Sequence, residues 1–159
     1  MAELRVLRRK DRALPEAEAC EILARAGHGV LATVDADGQP YAVPLNHVLA
    51  GEALYAHCAS AGHKLQNIAH EARVSYCAIL DAEVDPAALS TYYESAIVFG
   101  RAELVTDDAE KRQALELLVT RFCGVMDGKI EDYIGKMFAR TAVIRIRIDE
   151  ISGKAHRRE

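Results

Sequence analysis

Alternation of apolar and polar residues predicts most of the β-strands of this chain. The clearest case lies near the C-terminus, where Ile144, Ile146 and Ile148 alternate with Arg145 and Arg147. Since the side chains of a strand point alternately to its two faces, one face of this strand is expected to be buried and the other charged. Similar strand-type runs occupy residues 29–34, 41–49, 53–58, 73–80 and 95–105. Tight turns separate the first three of these runs, which are therefore expected to form an antiparallel meander.

Apolar residues three and four positions apart predict helices in the segments that flank these strands. The first helix is expected over residues 15–26, with Pro15 in its first turn and Gly27 as its C-terminal cap. The longest helix is expected to begin at Asp107 and to end near Gly124. Two shorter helices are predicted, over residues 60–69 and 131–139.

The segment between the fourth and fifth strands, residues 81–89, contains Pro86 and has no clear period, so it is predicted to be a loop. The next strand begins with four consecutive apolar residues, 96–99. Both faces of that strand should then be covered, which in a small sheet favours contact with a second subunit. The pattern as a whole predicts a partly closed barrel of six antiparallel strands with flanking helices, in the α+β or mainly β class.

Length and composition narrow the class of protein further. The 159 residues, half of them apolar or aromatic, suit a single domain over residues 1–159 with a sizeable core. No apolar run approaches the roughly 18 residues of a membrane span, and residues 1–12 do not resemble a secretory signal. A cytoplasmic protein that does not bind membranes is expected. The net charge of −4 argues against nucleic-acid binding.

Several other patterns argue against particular functions and sites. Basic residues cluster at residues 5–12 and 154–158, either as solvated tails or as anion contacts, for example at a subunit interface. The sequence contains neither a nucleophile-elbow nor a P-loop motif, so hydrolase and nucleoside-triphosphatase functions have no support. The cysteines form no C-x-x-C pair and are expected to be buried free thiols: Cys20, Cys58, Cys77 and Cys123. The histidines match no common metal-ligand spacing, so no metal is expected: His47, His57, His63 and His70.

Three stretches of the sequence carry a resemblance to a known family: residues 8–12, residues 29–46 leading into 54–65, and residues 93–102. The second stretch contains an H-x-x-x-x-G-x-K element formed by His57, Gly62 and Lys64. Together they resemble the pyridoxamine 5′-phosphate oxidase-like, FMN-binding split-barrel superfamily, and within it the 5-nitroimidazole reductase (antibiotic-resistance) type is most similar. The resemblance extends over residues 8–157 and includes the closing segment 152–155.

The resemblance implies a binding site for the FMN phosphate where the third strand leads into the second helix. Lys64 matches the lysine that holds this phosphate in the family, and His63 stands where many relatives carry arginine. Free amides at the start of a helix favour an anion, in agreement with this role. The residues implied at this end of the cofactor are Ala59, Ser60, Gly62, His63 and Lys64.

The resemblance also implies where the flavin ring lies. The strand over residues 41–46 matches the one whose backbone lines the isoalloxazine edge, so Val43, Pro44, Leu45 and Asn46 are expected to contact the cofactor. A proline inside a strand belongs at a sheet edge or barrel opening, where a flat ring can enter. In the family's homodimers the second subunit closes the site, which implies contacts in trans from Tyr92, Tyr93 and Ser95.

The expected function is an FMN-dependent oxidoreductase that reduces a small-molecule electrophile such as a nitro compound. His57, at the family's cofactor-facing position, is the candidate catalytic residue. One alternative is a pyridoxine-phosphate oxidase, which needs a second basic set for the substrate phosphate, and no such set is evident in the strands. Another alternative is a non-enzymatic flavin or haem carrier, with His57 or His63 as a haem ligand. A deazaflavin in place of FMN also fits the barrel.

Overall fold

A computed structural model describes residues 7–158 of the chain, so Arg5 of the N-terminal basic cluster lies outside the described residues. Within this range, eight strands form one antiparallel sheet, and four α-helices accompany it. The strands are β1 (Ala13–Leu14), β2 (His28–Val34), β3 (Pro40–Asn46), β4 (Val48–Ala50), β5 (Ala53–Ala59), β6 (Arg73–Asp85), β7 (Ser90–Leu104) and β8 (Thr141–His156). The helices are α1 (Glu16–Arg25), α2 (His63–His70), α3 (Asp108–Cys123) and α4 (Gly128–Met137).

The strand order shows how the barrel partly closes. Neighbouring strands follow the path β3-β2-β6-β7-β8-β5-β4, and β1 pairs with β8. Consecutive strands β3 and β4 therefore lie at opposite ends of this path, and the sheet curls until β3 and β5 come into contact. The predicted α+β split barrel is confirmed, with eight strands instead of six. The predicted meander is wrong, because β3 pairs with β2 whereas β5 pairs with β8 and β4.

His47 occupies the corner between β3 and β4 and explains why the predicted run 41–49 is two strands. Its side chain is buried, with Nε2 2.7 Å from the carbonyl oxygen of Leu23 and Nδ1 2.8 Å from the hydroxyl of Tyr76. Burial is the main cause of a lowered His47 pKa, so the imidazole is held neutral. These contacts fix the residue inside the core and interrupt the strand.

The core lies between the inner face of the sheet and α1. Leu31, Leu54, Val98 and Ile146, each from a different strand, are fully buried against the apolar face of the helix. Burying one such side chain contributes about 1.5–3 kcal/mol. Helix and sheet are in close contact where α1 crosses β8, since a Cβ atom at Gly153 would lie only 2.8 Å from Ala19 Cβ.

The predicted loop at residues 81–89 is wrong, because β6 and β7 continue there as a long hairpin. The turn takes four residues, 86–89, and the carboxylate of Asp85 accepts hydrogen bonds from the amides of Ala87 and Ala88. A register shift between Ile79 and Asp81 precedes this extension, and most side chains beyond the shift are exposed. Without a buried face, the segment shows no apolar alternation for a sequence pattern to detect.

The helices follow the predicted pattern with small shifts in their ends. The Asp107 side chain caps α3, which ends before Gly124, as expected. The C-terminal cap of α1 is Ala26 instead of Gly27, and α4 begins three residues early because Asp127 caps it. None of the helices in residues 7–158 is long and apolar enough to cross a membrane.

Candidate functional site

The N-terminus of α2 carries positive charge and lacks a side-chain cap. Gly62 occupies the cap position with φ of 142°, a conformation that favours glycine. Asp107 and Asp127 side chains cap α3 and α4, whereas no described side chain caps α2, and its first turn holds His63 and Lys64 with no acidic residue. Cations are disfavoured at the positive end of a helix dipole. This arrangement is suited to holding an anion on free backbone amides and a lysine.

Lys64 is half-buried and directs its charge towards the end of β5. Burial raises the pKa of the Cys58 thiol, and the nearby Lys64 ammonium partly opposes that rise. Among the described residues, no carboxylate forms an ion pair with Lys64. The ammonium group is therefore available to a ligand.

His63 lies beside this helix end but contacts the turn between β2 and β3. Its Nε2 is 4.0 Å from a carboxylate oxygen of Asp35, and its ring meets the ring of Tyr41 edge to face at 4.7 Å. The side chain is half-exposed. His63 thus adds an imidazole beside this helix end, where it also links α2 to the β2–β3 turn.

A pocket of about 690 Å³ lies where β3 and β5 approach each other, with α3 and α4 on its other side. Three predicted site residues line it together: Asn46 from β3, and His57 and Ala59 from β5. Its volume lies within the roughly 300–1,000 Å³ typical of small-molecule sites. The remaining lining residues are Cys58, Leu115, Leu118, Val119, Phe122, Cys123, Tyr133, Ile134, Met137, Arg140 and Thr141. We call this the His57 pocket.

Strand alternation explains which side chains reach the His57 pocket. Leu54 and Ala56 point into the barrel core, so Tyr55, His57 and Ala59 lie on the outer face of β5. The Tyr55 hydroxyl donates a 2.9 Å hydrogen bond to a carboxylate oxygen of Glu110, which attaches α3 to this face. Further along β5 the helix leaves the strand uncovered, and His57 is exposed there.

Strand β3 presents its outer face to the same region. Ala42, Pro44 and Asn46 are exposed, whereas Val43 and Leu45 turn towards the core. Pro44 lies in a terminal strand of the sheet, as predicted. Val43 and Leu45 can therefore offer only backbone atoms to a ligand on the outer face. The Asn46 side-chain amide donates a 2.9 Å hydrogen bond to the carbonyl oxygen of Gly27, which fixes its orientation.

The three residues predicted to act in trans lie on β7, and none lines the His57 pocket. The Tyr92 ring stacks at 4.9 Å on His156, and the Ser95 hydroxyl is 3.4 Å from the carbonyl oxygen of Lys154. Tyr93 borders a separate depression of about 540 Å³ beside the β6–β7 turn. Within a single chain, the structure thus separates these residues from the pocket.

The surroundings of Tyr93 contain one residue from each of the two basic clusters of the sequence, Arg12 and Lys154, whose meeting the sequence alone did not predict. The Tyr93 hydroxyl is buried beside these two cations. Burial raises the pKa of this phenol, but the adjacent Arg12 and Lys154 cations outweigh that effect, so the pKa is lowered overall. Pairing of Ala13 with Lys154 brings the two cations together from opposite ends of the chain. Neither cation forms an ion pair with a described carboxylate.

The sequence did not predict that α3 and α4 line the pocket. The prediction that Cys123 is buried is also wrong. Burial raises the thiol pKa of the three half-buried cysteines, Cys20, Cys58 and Cys77. Cys123 is exposed instead, at the rim of the His57 pocket. The apolar spacing of α3 indicated a buried helix face, but it could not show that part of that face borders a cavity.

Comparison with known proteins gives the family and the fold. Residues 15–155 match the family model described as pyridoxamine 5′-phosphate oxidase. A candidate 5-nitroimidazole antibiotic resistance protein from Bacteroides thetaiotaomicron is 23% identical, with TM-score 0.76 over 89% of this chain and 85% of that one. An FAD-binding protein from Mesorhizobium loti is 26% identical, with TM-score 0.69 over 92% and 98%. An FAD and haem binding protein from Mycobacterium smegmatis is 23% identical, with TM-score 0.74 over 91% and 72%. No curated protein matches the chain.

Proposed function

We propose, since the chain belongs to the pyridoxamine 5′-phosphate oxidase family, that it binds FMN and reduces a small organic electrophile such as a nitro compound. One observation carries this proposal. The same short segment of chain that places His57 in a ligand-sized pocket also places Lys64, which has no carboxylate partner among the described residues, at an uncapped helix end. The helix end would hold the phosphate of the cofactor, and the pocket beside His57 would admit the small electrophile to the flavin ring.

The phosphate would be held by the first turn of α2. The ammonium of Lys64 and the backbone amides after Gly62 supply charge and directed donors, and the exposed Ser60 hydroxyl adds a further donor. Charge-assisted hydrogen bonds of this kind are about twice as strong as neutral ones. Lys64 itself has no carboxylate partner among the described residues, and the nearby Asp35 carboxylate lies beside His63.

The ring would lie along the outer face of β3, against the backbone of Val43 and Leu45 and the flat side of Pro44. Bound there, the flavin would supply the electron transfer, while the protein supplies binding, orientation and electrostatics. Asn46, held by its bond to Gly27, offers a fixed polar group at the ring edge. His57 would donate a hydrogen bond to an oxygen of the bound acceptor.

A second copy of the chain would complete the site. On β7, Ala96 and Val98 are fully buried, whereas Ile97 and Phe99 lie on the opposite face and are half-buried. Val30 and Ile79 continue this outer face and are 38% and 52% exposed. A homodimer that covers these side chains explains the uninterrupted apolar run of residues 96–99. In such a dimer, Tyr92, Tyr93 and Ser95 would reach the partner's cofactor.

The function is tested by measuring three properties of the wild-type, His57→Gln and His57→Ala proteins. These are the absorption spectrum after reconstitution with FMN, the rate of nitro-compound reduction and the melting temperature. The wild-type protein should show flavin bands and reduce the acceptor. His57→Gln should retain part of the rate, since it keeps a donor, and His57→Ala should lose most of it with nearly unchanged FMN affinity. A lower melting temperature with an unchanged rate would make His57 structural, and a Soret band in the protein as isolated would favour haem.

A second candidate function, oxidation of a phosphorylated substrate such as pyridoxine 5′-phosphate, is favoured by the basic pair at Tyr93. Arg12 and Lys154 lack carboxylate partners in the described part of the chain. In a dimer they would hold the phosphate of a substrate that is bound at the partner subunit's flavin. Lys154→Gln should then raise the KM for the phosphorylated substrate at least several-fold. Lys10→Gln removes an exposed charge from the turn before β1 and should change nothing. Absence of any oxidation by the FMN-loaded protein would eliminate this candidate.

A further inference from the structure

The wall of the His57 pocket that faces β5 is built from two helices and is almost wholly apolar. Leu115 and Leu118 of α3 and Ile134 of α4 are buried behind it. At the rim, Phe122 and Tyr133 remain 44% and 64% exposed, although both are large aromatic side chains. The two helices therefore leave an open space at β5 that an apolar molecule can fill.

The polar groups of the pocket are few, and the Arg140 guanidinium is the permanent charge among its described lining residues. His57 and Asn46 stand on the strands, and Arg140 stands in the short 3-10 helix that leads into β8. Among the described lining residues none carries a carboxylate, and Arg140 forms no ion pair with a described residue. The pocket thus combines aromatic and aliphatic walls with an unpaired guanidinium.

We propose that the His57 pocket binds a planar aromatic molecule that carries an anionic group. The ring lies between the aromatic rim and the aliphatic side chains of α3, and the anionic group is held by Arg140. An apolar ring gains from burial against such walls, and an arginine fork is suited to a carboxylate. This inference rests on the proposed function in one respect only: a flavin along β3 would meet the bound molecule at Asn46 and His57. Binding itself requires no flavin.

The absence of tryptophan from the chain permits a direct binding test. Tyr133→Trp places a single fluorescent reporter at the pocket rim, and nitroaromatic compounds quench indole fluorescence on contact. In the flavin-free protein, 4-nitrobenzoate should quench this reporter saturably. The cationic 4-nitrobenzylamine should bind more weakly by a factor of up to about five, since one exposed charge pair contributes up to about 1 kcal/mol. Arg140→Gln in the reporter background should remove most of that difference.

The matched control places the reporter outside the pocket. Thr120 is exposed on α3 and does not line the pocket, so Thr120→Trp should show only linear, unsaturable quenching. Saturable quenching of both reporters, or equal affinity for the anionic and cationic probes, would overturn the proposal.

A blocking variant connects binding to turnover and separates the two proposals. Val119→Trp fills part of the pocket and should raise the KM for 4-nitrobenzoate by up to about tenfold, on the order of the loss of one buried aromatic contact, with little change in FMN affinity. Saturable quenching in a protein that does not bind FMN would refute the proposed function and support this inference. If the protein binds FMN and reduces nitro compounds, but the reporter is not quenched and Val119→Trp leaves the KM unchanged, the proposed function is supported and this inference is refuted. If Val119→Trp does not fold, the reporter and Arg140→Gln, both at exposed positions, still decide.

Discussion

Replacing Lys64 with methionine should change flavin affinity and protein stability in opposite directions. Lys64 forms no ion pair with a described residue, and methionine keeps most of its apolar stem. A cation in the first turn of α2 opposes the helix dipole at a cost of about 0.3–1 kcal/mol. Removing the charge should therefore leave the flavin-free protein equally stable or more stable, which for a chain of this size raises the melting temperature by at most about 4 °C.

The same change should weaken FMN binding by about 1.5–3 kcal/mol, the contribution of charge-assisted hydrogen bonds to a phosphate. This corresponds to a dissociation constant roughly 10 to 150 times larger. Quenching of FMN fluorescence during titration with protein measures the constant. Because screening weakens only the charged contact, raising the salt concentration should reduce the wild-type affinity more than that of the variant.

Lys136 provides the matched control, since it lies in the last turn of α4, where a cation is favourable. Lys136→Met should lose a few tenths of a kcal/mol in stability and leave FMN affinity unchanged. The reasoning fails if Lys64→Met binds FMN within twofold of the wild type. It also fails if Lys64→Met is destabilised as Lys136→Met is, because Lys64 would then be a structural lysine.

Three further predictions concern the fold and its assembly. The pKa of His47 is lowered from its ordinary 6.5, chiefly by burial, so the unfolded chain takes up a proton first on acidification. The free energy of unfolding should be highest above about pH 6.5 and should fall below it by up to about 1.4 kcal/mol per pH unit. In denaturant unfolding, His47→Gln should not show this fall. Gly100→Ala should fold poorly, judged by circular dichroism, since its Cβ would lie 2.1 Å from the backbone oxygen of Arg147. The wild-type protein should form a dimer whose interface buries more than about 1,000 Å², and Ile97→Arg should be a monomer. Light scattering that shows a wild-type monomer at micromolar concentration would contradict the dimer.

The parts of the fold that could be predicted are those that depend on neighbours in the sequence. The cap at Asp107 and the alternation around Ile146 are local signals, and both elements are present. Strand pairing is not local: the tight turn after β4 suggested that β3 and β5 are neighbours, yet β5 pairs with β8. What separates β3 from β5 is the corner at His47, which depends on contacts with Leu23 and Tyr76 in other elements. A periodicity argument has no access to such contacts.

The candidate site residues also include some that are close together in the sequence and others that are far apart. Gly62 and Lys64 lie within one short segment, so a motif could point to a candidate anion site and its helix end together. Arg140, by contrast, comes from a turn far along the chain and reaches the His57 pocket only because β8 pairs with β5. Arg12 and Lys154 come from opposite ends of the chain and meet through the short β1–β8 ladder. Residues of these kinds become visible as a group only in three dimensions.

The position of the pocket follows from the incomplete closure of the barrel. If β3 paired directly with β5, ladder hydrogen bonds and packed side chains would fill the space that Asn46 and His57 now border. The buried corner at His47 prevents this pairing by sending the chain from one end of the sheet to the other. Asn46 immediately precedes that corner and is anchored to Gly27, just beyond α1. Since His47 is itself bonded to Leu23 of α1, the helix that completes the core also fixes one wall of the site. Loosening the corner should therefore misplace Asn46 and reduce ligand affinity before the barrel unfolds.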